Sequence, residues 1–334
     1  MVLSVRSRPA VIGRPRLKRA LIALAMLGAA LPVITHAASD STASPGVAAI
    51  GLHSEGDMYT AQYDSFGAWL GEPVQYRIVF TAREKWQDVA EPYYLATTQR
   101  WINSDPRRVE VMSVPLLLAS DHGFATVTSG KVDYAFASLA RNIKAIGRPE
   151  QVIIRLGWEY NGNWYRWSAI KDPEGYRAAY RHVVHVMRKI APGLRFDWTT
   201  DFQSHSNFNW QSAYPGDDVV DIMSMDVYDE YHEGWGDMLN ARTGLRSFRA
   251  FARAHGKPEA YPEWGCSTRP EGYGDDPEFI EHFHGWIESG APNVLYQSYW
   301  NTHLGGPNAV IYGDQSGRVP LAANKYRELF GGKR

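Results

Sequence analysis

The chain has 334 residues, of which 44% are hydrophobic and 13% aromatic, with 35 basic residues against 36 acidic ones. That composition excludes a disordered or fibrous protein and supplies enough apolar side chain for a large core. The single cysteine, Cys266, excludes an intramolecular disulfide.

At the N-terminus, Arg6, Arg8, Arg14, Arg16, Lys18 and Arg19 precede an apolar run over 20–34 that closes on Thr35-His36-Ala37. This is the pattern of a secretory signal peptide over residues 1–37, cleaved near Ala37 or Ala38, and it implies a periplasmic or secreted bacterial protein. The run is shorter than the about 20 residues a spanning helix needs, so no membrane association is expected after cleavage. Removing residues 1–37 leaves 29 basic residues against 36 acidic ones, a formal net charge of −7. Nucleic acid and anionic membranes are therefore poor partners.

A small-residue linker, 38–46, leads into one domain, 47–334. Short β-rich runs alternate there with helical patterns, which argues for a parallel sheet. The expected strands are Val47–Leu52, Val74–Phe80, Val109–Leu118, Gln151–Gly157, Leu194–Thr199, Val219–Val227, Glu259–Pro262 and Val294–Ser298. Eight of them suggest an α/β fold of the closed (β/α)8 TIM-barrel type. Helices are expected over Met58–Leu70, Pro92–Asn103, Leu245–Ala254, Pro277–Glu288 and Ala323–Phe330, with another around Ala135, Leu139 and Ile143. Asp172 can cap a further helix opened by Pro173, in which Tyr176, Tyr180, Val183, Met187 and Ile190 share a face.

Active sites of such barrels form where strands end. Three strand ends are rich in carboxylate, amide and aromatic groups: Arg155–Trp167 after the fourth, Tyr261–Gly265 at the seventh and Tyr296–Asn301 at the eighth. A pair of carboxylates suits glycosidic chemistry, because one protonates the leaving oxygen while the other attacks the anomeric carbon or activates water. Aromatic faces suit the C–H patches of sugars, and indole walls can raise a carboxyl pKa, as a general acid requires.

The run Arg-x-x-x-Glu-x-Asn-Gly-x-Trp-x-x-Trp over Arg155–Trp167 resembles the acid/base signature of glycoside hydrolase family 26, known chiefly for β-mannanases. Tyr214–Asp221, Asp226–Asp229, Glu263-Trp264-Gly265 and Trp300 are similar to further landmarks of that family. The resemblance covers about residues 47–330. It implies that Glu159 is the acid/base and Glu263 the nucleophile of a retaining hydrolase, endo-β-mannanase-like, cleaving a β-linked polysaccharide. It also implies that Tyr228 hydrogen-bonds the nucleophile, that Trp300 floors the sugar being cleaved, and that Asn161, Trp164 and Trp167 shape the cleft.

One departure bears on substrate choice: the residue before the acid/base is Trp158, where the mannanases usually carry histidine. Trp158 is expected in the subsite at the cleavage point, and mannan, a bacterial exopolysaccharide, xylan and mixed-linkage glucan all stay open as substrates. Arg155 is expected to support the carboxylates from beneath as part of the binding site, and His53, near the end of the first strand, could reach the cleft. A non-catalytic carbohydrate-binding barrel is the alternative of a different class, disfavoured by the presence of both glutamates.

Asp121-His122 fits a backbone cap as well as a distal subsite, and Trp210 and Trp235 could stack on sugars or pin their loops. Cys266 reads as a small buried hydrophobe. His182 with His185, and His282 with His284, lack partners at persuasive ligand spacing, so no metal is expected. No cofactor fingerprint appears, and the expected working form is a monomer with a polysaccharide or oligosaccharide as its partner.

Overall fold

A computed structural model of the chain describes residues 48–54, 60–203, 205–303, 306–314 and 316–332. The expected signal peptide and linker lie outside these residues. Eight strands pair in parallel, each with the next: β1 Ala49–Ser54, β2 Tyr76–Phe80, β3 Val109–Val114, β4 Val152–Leu156, β5 Arg195–Asp201, β6 Ile222–Asp229, β7 Glu259–Cys266 and β8 Val294–Asn301. Pairing of β1 with β8, from Ala49 opposite Tyr296 to Ser54 opposite Asn301, closes the barrel. The expected (β/α)8 fold is the observed one.

The helices in chain order are α1 Thr60–Leu70, α2 Trp86–Ala90, α3 Leu95–Ser104, α4 Ala125–Thr128, α5 Asp133–Ile146, α6 Pro173–Arg188, α7 Trp235–Asn240, α8 Leu245–Ala254, α9 Pro277–Gly290 and α10 Pro320–Phe330. Two of the expected helices start for local reasons. Asp172 accepts a hydrogen bond from the Gly175 N–H ahead of α6, and Asp276 accepts from Glu278 and Phe279 ahead of α9, each helix opening with proline. Helix α6 then buries Tyr176, Tyr180, Val183 and Met187. Among the described residues no helix is long and apolar enough to cross a membrane.

Strand boundaries differ from expectation mostly at the C-terminal ends. β3 stops at Val114, because Pro115 cannot donate to the ladder, whereas β5 to β8 run on by two to four residues. The short helices α2, α4 and α7 carry too little periodicity to be read from sequence.

Alternate residues of each strand face the barrel interior. At its base lies an apolar layer that includes Tyr76, Ile78, Val111, Ile153, Ile222 and Tyr296. Two residues further along β4, β5 and β6 the inward positions become polar: Arg155, Asp197, Thr199 and Ser224, all buried. Strand β7 breaks this alternation. Ala260 belongs to the interior layer, Tyr261 and Trp264 to the outer core, and Glu263 lines the cleft, so the pleat slips by one residue around Pro262. The register against β8 shifts at that place, between Tyr261 and Trp264. A bulge there accommodates a proline inside the strand and turns Glu263 inward.

Because Ile153 is fully buried in the base layer, Ile153→Ala should lower the free energy of unfolding by about 2–5 kcal/mol, measured by urea denaturation, with no change at the barrel mouth.

Candidate active site

The site is built on one buried cation. Arg155, at an inward position of β4, is fully buried. Its Nε donates to Thr199 Oγ1 at 3.0 Å, and its Nη1 donates to Ser113 Oγ at 3.1 Å and to Glu263 Oε1 at 2.5 Å. Its Nη2 donates to Asp226 Oδ2. Below it, Ser224 Oγ donates to Asp197 Oδ1 at 2.7 Å. Burial works against the guanidinium charge, but the charges of Asp226, Glu263, Glu159 and Asp197 outweigh it and hold the pKa of Arg155 above its ordinary value.

Above this hub stand the two glutamates. Glu263 also accepts from the Tyr228 hydroxyl at 2.9 Å, so each of its oxygens has a donor. Burial first, then the charge of Glu263, raises the pKa of Tyr228 well above normal and keeps it a donor. Glu159, 7% exposed, follows the end of β4. Its φ of 51° is left-handed, a conformation that costs a residue with a side chain about 1–2 kcal/mol. Its N–H donates to the Thr199 carbonyl at 3.0 Å, which ties the strained turn to β5. The Trp164 indole N–H donates to Glu159 Oε2 at 2.7 Å.

Carboxylate oxygens of Glu159, Asp226 and Glu263 lie within 4.8 Å of one another. Burial and the charge of Glu263 push the pKa of Glu159 up to about 7, against the opposing pull of Arg155 and the Trp164 donor. Burial also raises Asp226 well above the ordinary range, despite Arg155. Three clustered acids could suggest a metal site. Here two of the three already bond Arg155, and a metal ion would meet a buried guanidinium's charge.

The carboxylates open into a cleft of about 1260 Å³. Of the residues singled out from sequence, His53, Trp158, Asn161, Trp164, Tyr228 and Trp300 line it with the two glutamates. His53 stacks on Trp300 with ring centres 4.3 Å apart, and its Nδ1 lies 2.9 Å from the Ile78 carbonyl oxygen. Trp158 is almost wholly packed, edge-on to Phe80 and Tyr165, and shows the cleft only part of its surface. Asn161 has its amide engaged at both ends, donating to the Asp201 carbonyl and accepting from the Asp201 N–H, each at 2.8 Å.

Arg155 and Trp167 do not line the cleft. Trp167 is buried behind it, donating to the Trp158 carbonyl at 2.7 Å and stacking on Tyr165. Asp121 caps the backbone, accepting from the Leu118 N–H. Trp210 and Trp235 pin loops, the first donating to the Arg242 carbonyl and the second stacking on His282. Cys266 is buried. Sequence reasoning missed Asp226 as an Arg155 partner, and Tyr165 and Asp201 as cleft residues. The Asp-x-Tyr spacing of β6 could have found the first, since it places Asp226 inward beneath Tyr228.

Comparison with known proteins shows what this region is similar to. The model of glycosyl hydrolase family 26 matches residues 121–261, a stretch that contains Arg155, Glu159 and Tyr228 and stops just before Glu263. Over that stretch the chain is similar to glycosyl hydrolase family 26. It is 29% identical over 143 residues to Endoglucanase H of Acetivibrio thermocellus, and 26% identical over 196 residues to a mannan endo-1,4-β-mannosidase of Bifidobacterium adolescentis. Those matches cover 40% and 54% of this chain but only 15% and 20% of the two relatives.

Solved family 26 structures share the barrel. A modular endo-β-1,4-mannanase from Cellulomonas fimi superposes with a TM-score of 0.64 at 16% identity, over 85% of this chain and 71% of that one. The catalytic domain of an endo-β-1,4-mannanase from Bacillus sp. JAMB-750 does so with a TM-score of 0.59 at 19% identity, over 86% of each.

The left-handed backbone at Glu159 makes a prediction about this site. Glu159→Gly should remove the strain and the buried carboxyl together and raise stability by about 1 kcal/mol, seen as a higher Tm in calorimetry. A lower Tm would show that the carboxyl's hydrogen bonds outweigh the strain.

Proposed function

We propose that this chain is a retaining glycoside hydrolase of a β-linked polysaccharide, with Glu159 as acid/base and Glu263 as nucleophile. The observation that carries the reading is the pairing of two buried carboxylates, with oxygens within 4.8 Å across the cleft, in opposed environments. Retention needs carboxyl groups about 5–5.5 Å apart, whereas inversion needs about 6.5–9.5 Å to admit a water.

The steps follow from the donors around each group. Arg155 and Tyr228 hold Glu263 as an oriented anion, ready to form a bond to the anomeric carbon. Glu159, with its pKa near 7, carries the proton that passes to the leaving oxygen. Once Glu263 is bonded to sugar, its negative charge is gone, and with it the second cause of the raised Glu159 pKa. Glu159 is then a stronger acid and is favoured as the carboxylate, the form that takes a proton from the attacking water. One charge on Glu263 thus times the exchange of roles.

β-Mannan is the default polymer, from the family and from the mannanases among its relatives. A β-glucan is the second reading, favoured by the relative named Endoglucanase H, while Trp158 in place of the mannanases' usual histidine departs from the mannan pattern. The protein is further proposed to be exported, its basic-then-apolar N-terminus acting as a signal, and to work as a monomer whose acidic mature charge keeps it off nucleic acid. N-terminal sequencing of the secreted form, expected to begin near Ala38, checks the export.

Glu159→Ala and Glu263→Ala should each lower turnover by several orders of magnitude while binding of the polymer survives. Reducing-sugar assays across mannan, β-glucan and xylan, with product anomers followed by NMR, test this. Inverted product, or unchanged hydrolysis in either variant, overturns the mechanism. The acid form of Glu159 is required in the first step and is lost as pH rises through its pKa. The alkaline limb of kcat/KM should therefore fall at about pH 7.

A further inference from the structure

The cleft extends beyond the two carboxylates. Its volume of about 1260 Å³ exceeds the about 300–1,000 Å³ usual for a pocket holding one small ligand. The strand order fixes the directions in which it runs. Glu159 follows β4 and Glu263 stands on β7, flanking the bond to be cut. In a closed barrel ordered β1 to β8, the direction at right angles to the β4–β7 line runs from the β1–β2 side of the mouth to the β5–β6 side. A glycan held between the carboxylates leaves the cleavage point toward those two sides.

Each of them presents an exposed tyrosine on the cleft wall. Tyr93, in the connection after β2, is 57% exposed, and Tyr231, just after β6, is 55% exposed. Charged groups line the same two ends, Arg83 and Glu84 at the first and Glu230 and Arg269 at the second. Tyr231 is also held in place. It has a left-handed φ of 57°, and its N–H donates to the Glu271 carbonyl at 3.2 Å. Glu230 bridges to Gly272, accepts from Ser267 Oγ at 2.6 Å and pairs with Arg269 at 3.2 Å. A Cβ at Gly272 would lie 2.2 Å from the Ser267 carbonyl oxygen, so this clasp between the β6 and β7 loops requires glycine. Strain and close packing here present a ring that itself buries little, which gives no return in stability.

We infer that Tyr93 and Tyr231 are stacking platforms of two distal sugar subsites, one on each side of the cleavage point. This rests on the hydrolase reading above. Aromatic faces take the apolar faces of pyranose rings, and the charged groups at each end supply partners for hydroxyls.

The test compares wild type with Tyr93→Ala, Tyr231→Ala and Tyr231→Phe, by electrophoretic retardation in gels containing β-1,4-mannan or mixed-linkage β-glucan, and by kinetics. With the polymer the protein cleaves, each alanine variant should lose retardation and about tenfold in kcat/KM, while Tyr231→Phe stays near wild type. On an aryl β-disaccharide of the same sugar, too short to reach either platform, all should act within about twofold of wild type. Tm checks that the clasp survives. Equal loss on polymer and disaccharide, or retardation unchanged in the alanine variants, overturns the platforms while leaving the hydrolase reading intact. Retardation without cleavage in the wild type, lost in the variants, supports the platforms and sinks the hydrolase reading. A wild type retarded by neither polymer overturns the platforms, and the hydrolase reading is then decided by the wider polymer assays above.

Discussion

A guanidinium buried inside the barrel is the constraint on which the rest of the structure depends. Arg155 cannot shed its proton, so the fold must surround it with anions and acceptors: Asp226 and Glu263 as direct partners, Glu159 and Asp197 within electrostatic reach, Thr199 and Ser113 for the remaining donors. That need explains why the barrel interior turns from apolar to polar halfway up. In the proposed hydrolase it would also serve the chemistry, because one charge below several carboxylates lets one remain an oriented anion while another keeps its proton.

The two glutamates are delivered by different departures from regular backbone. Glu263 faces inward because β7 slips by one residue around Pro262, and Glu159 faces it because the chain turns left-handed after β4. In both places the neighbouring strand fixes the irregularity, through the β7–β8 register shift and the Glu159-to-Thr199 bond. Regular strands alone would have left one carboxylate pointing into the helical layer.

These departures also mark what the sequence could and could not reveal. The strand–helix alternation was legible because half-buried helices and fully buried strands have distinct periods. Both glutamates were legible because they fall at strand ends in aromatic company. The ends of β5 to β8 were not, since their polar, site-lining residues lack the apolar pattern of strands, and Pro262 mimics a strand terminus. Trp164 and Trp167 look alike in sequence, yet one stands 52% exposed over Glu159 and the other is buried behind the cleft wall. Which face of an irregular loop a side chain takes is set by partners distant in sequence, such as Thr199 and Asp201.

Asn161 shows how such a loop becomes part of the scaffold. Its amide donates to and accepts from the backbone of Asp201 as a strand residue would, so the segment carrying Glu159 inherits the stiffness of the sheet. In the proposed reaction such a scaffold would spare the two glutamates rearrangement at the moment of bond breaking. Changes in the outer loops would then reach the far ends of the cleft while leaving the hydrogen bonds around Glu159 and Glu263 as they are.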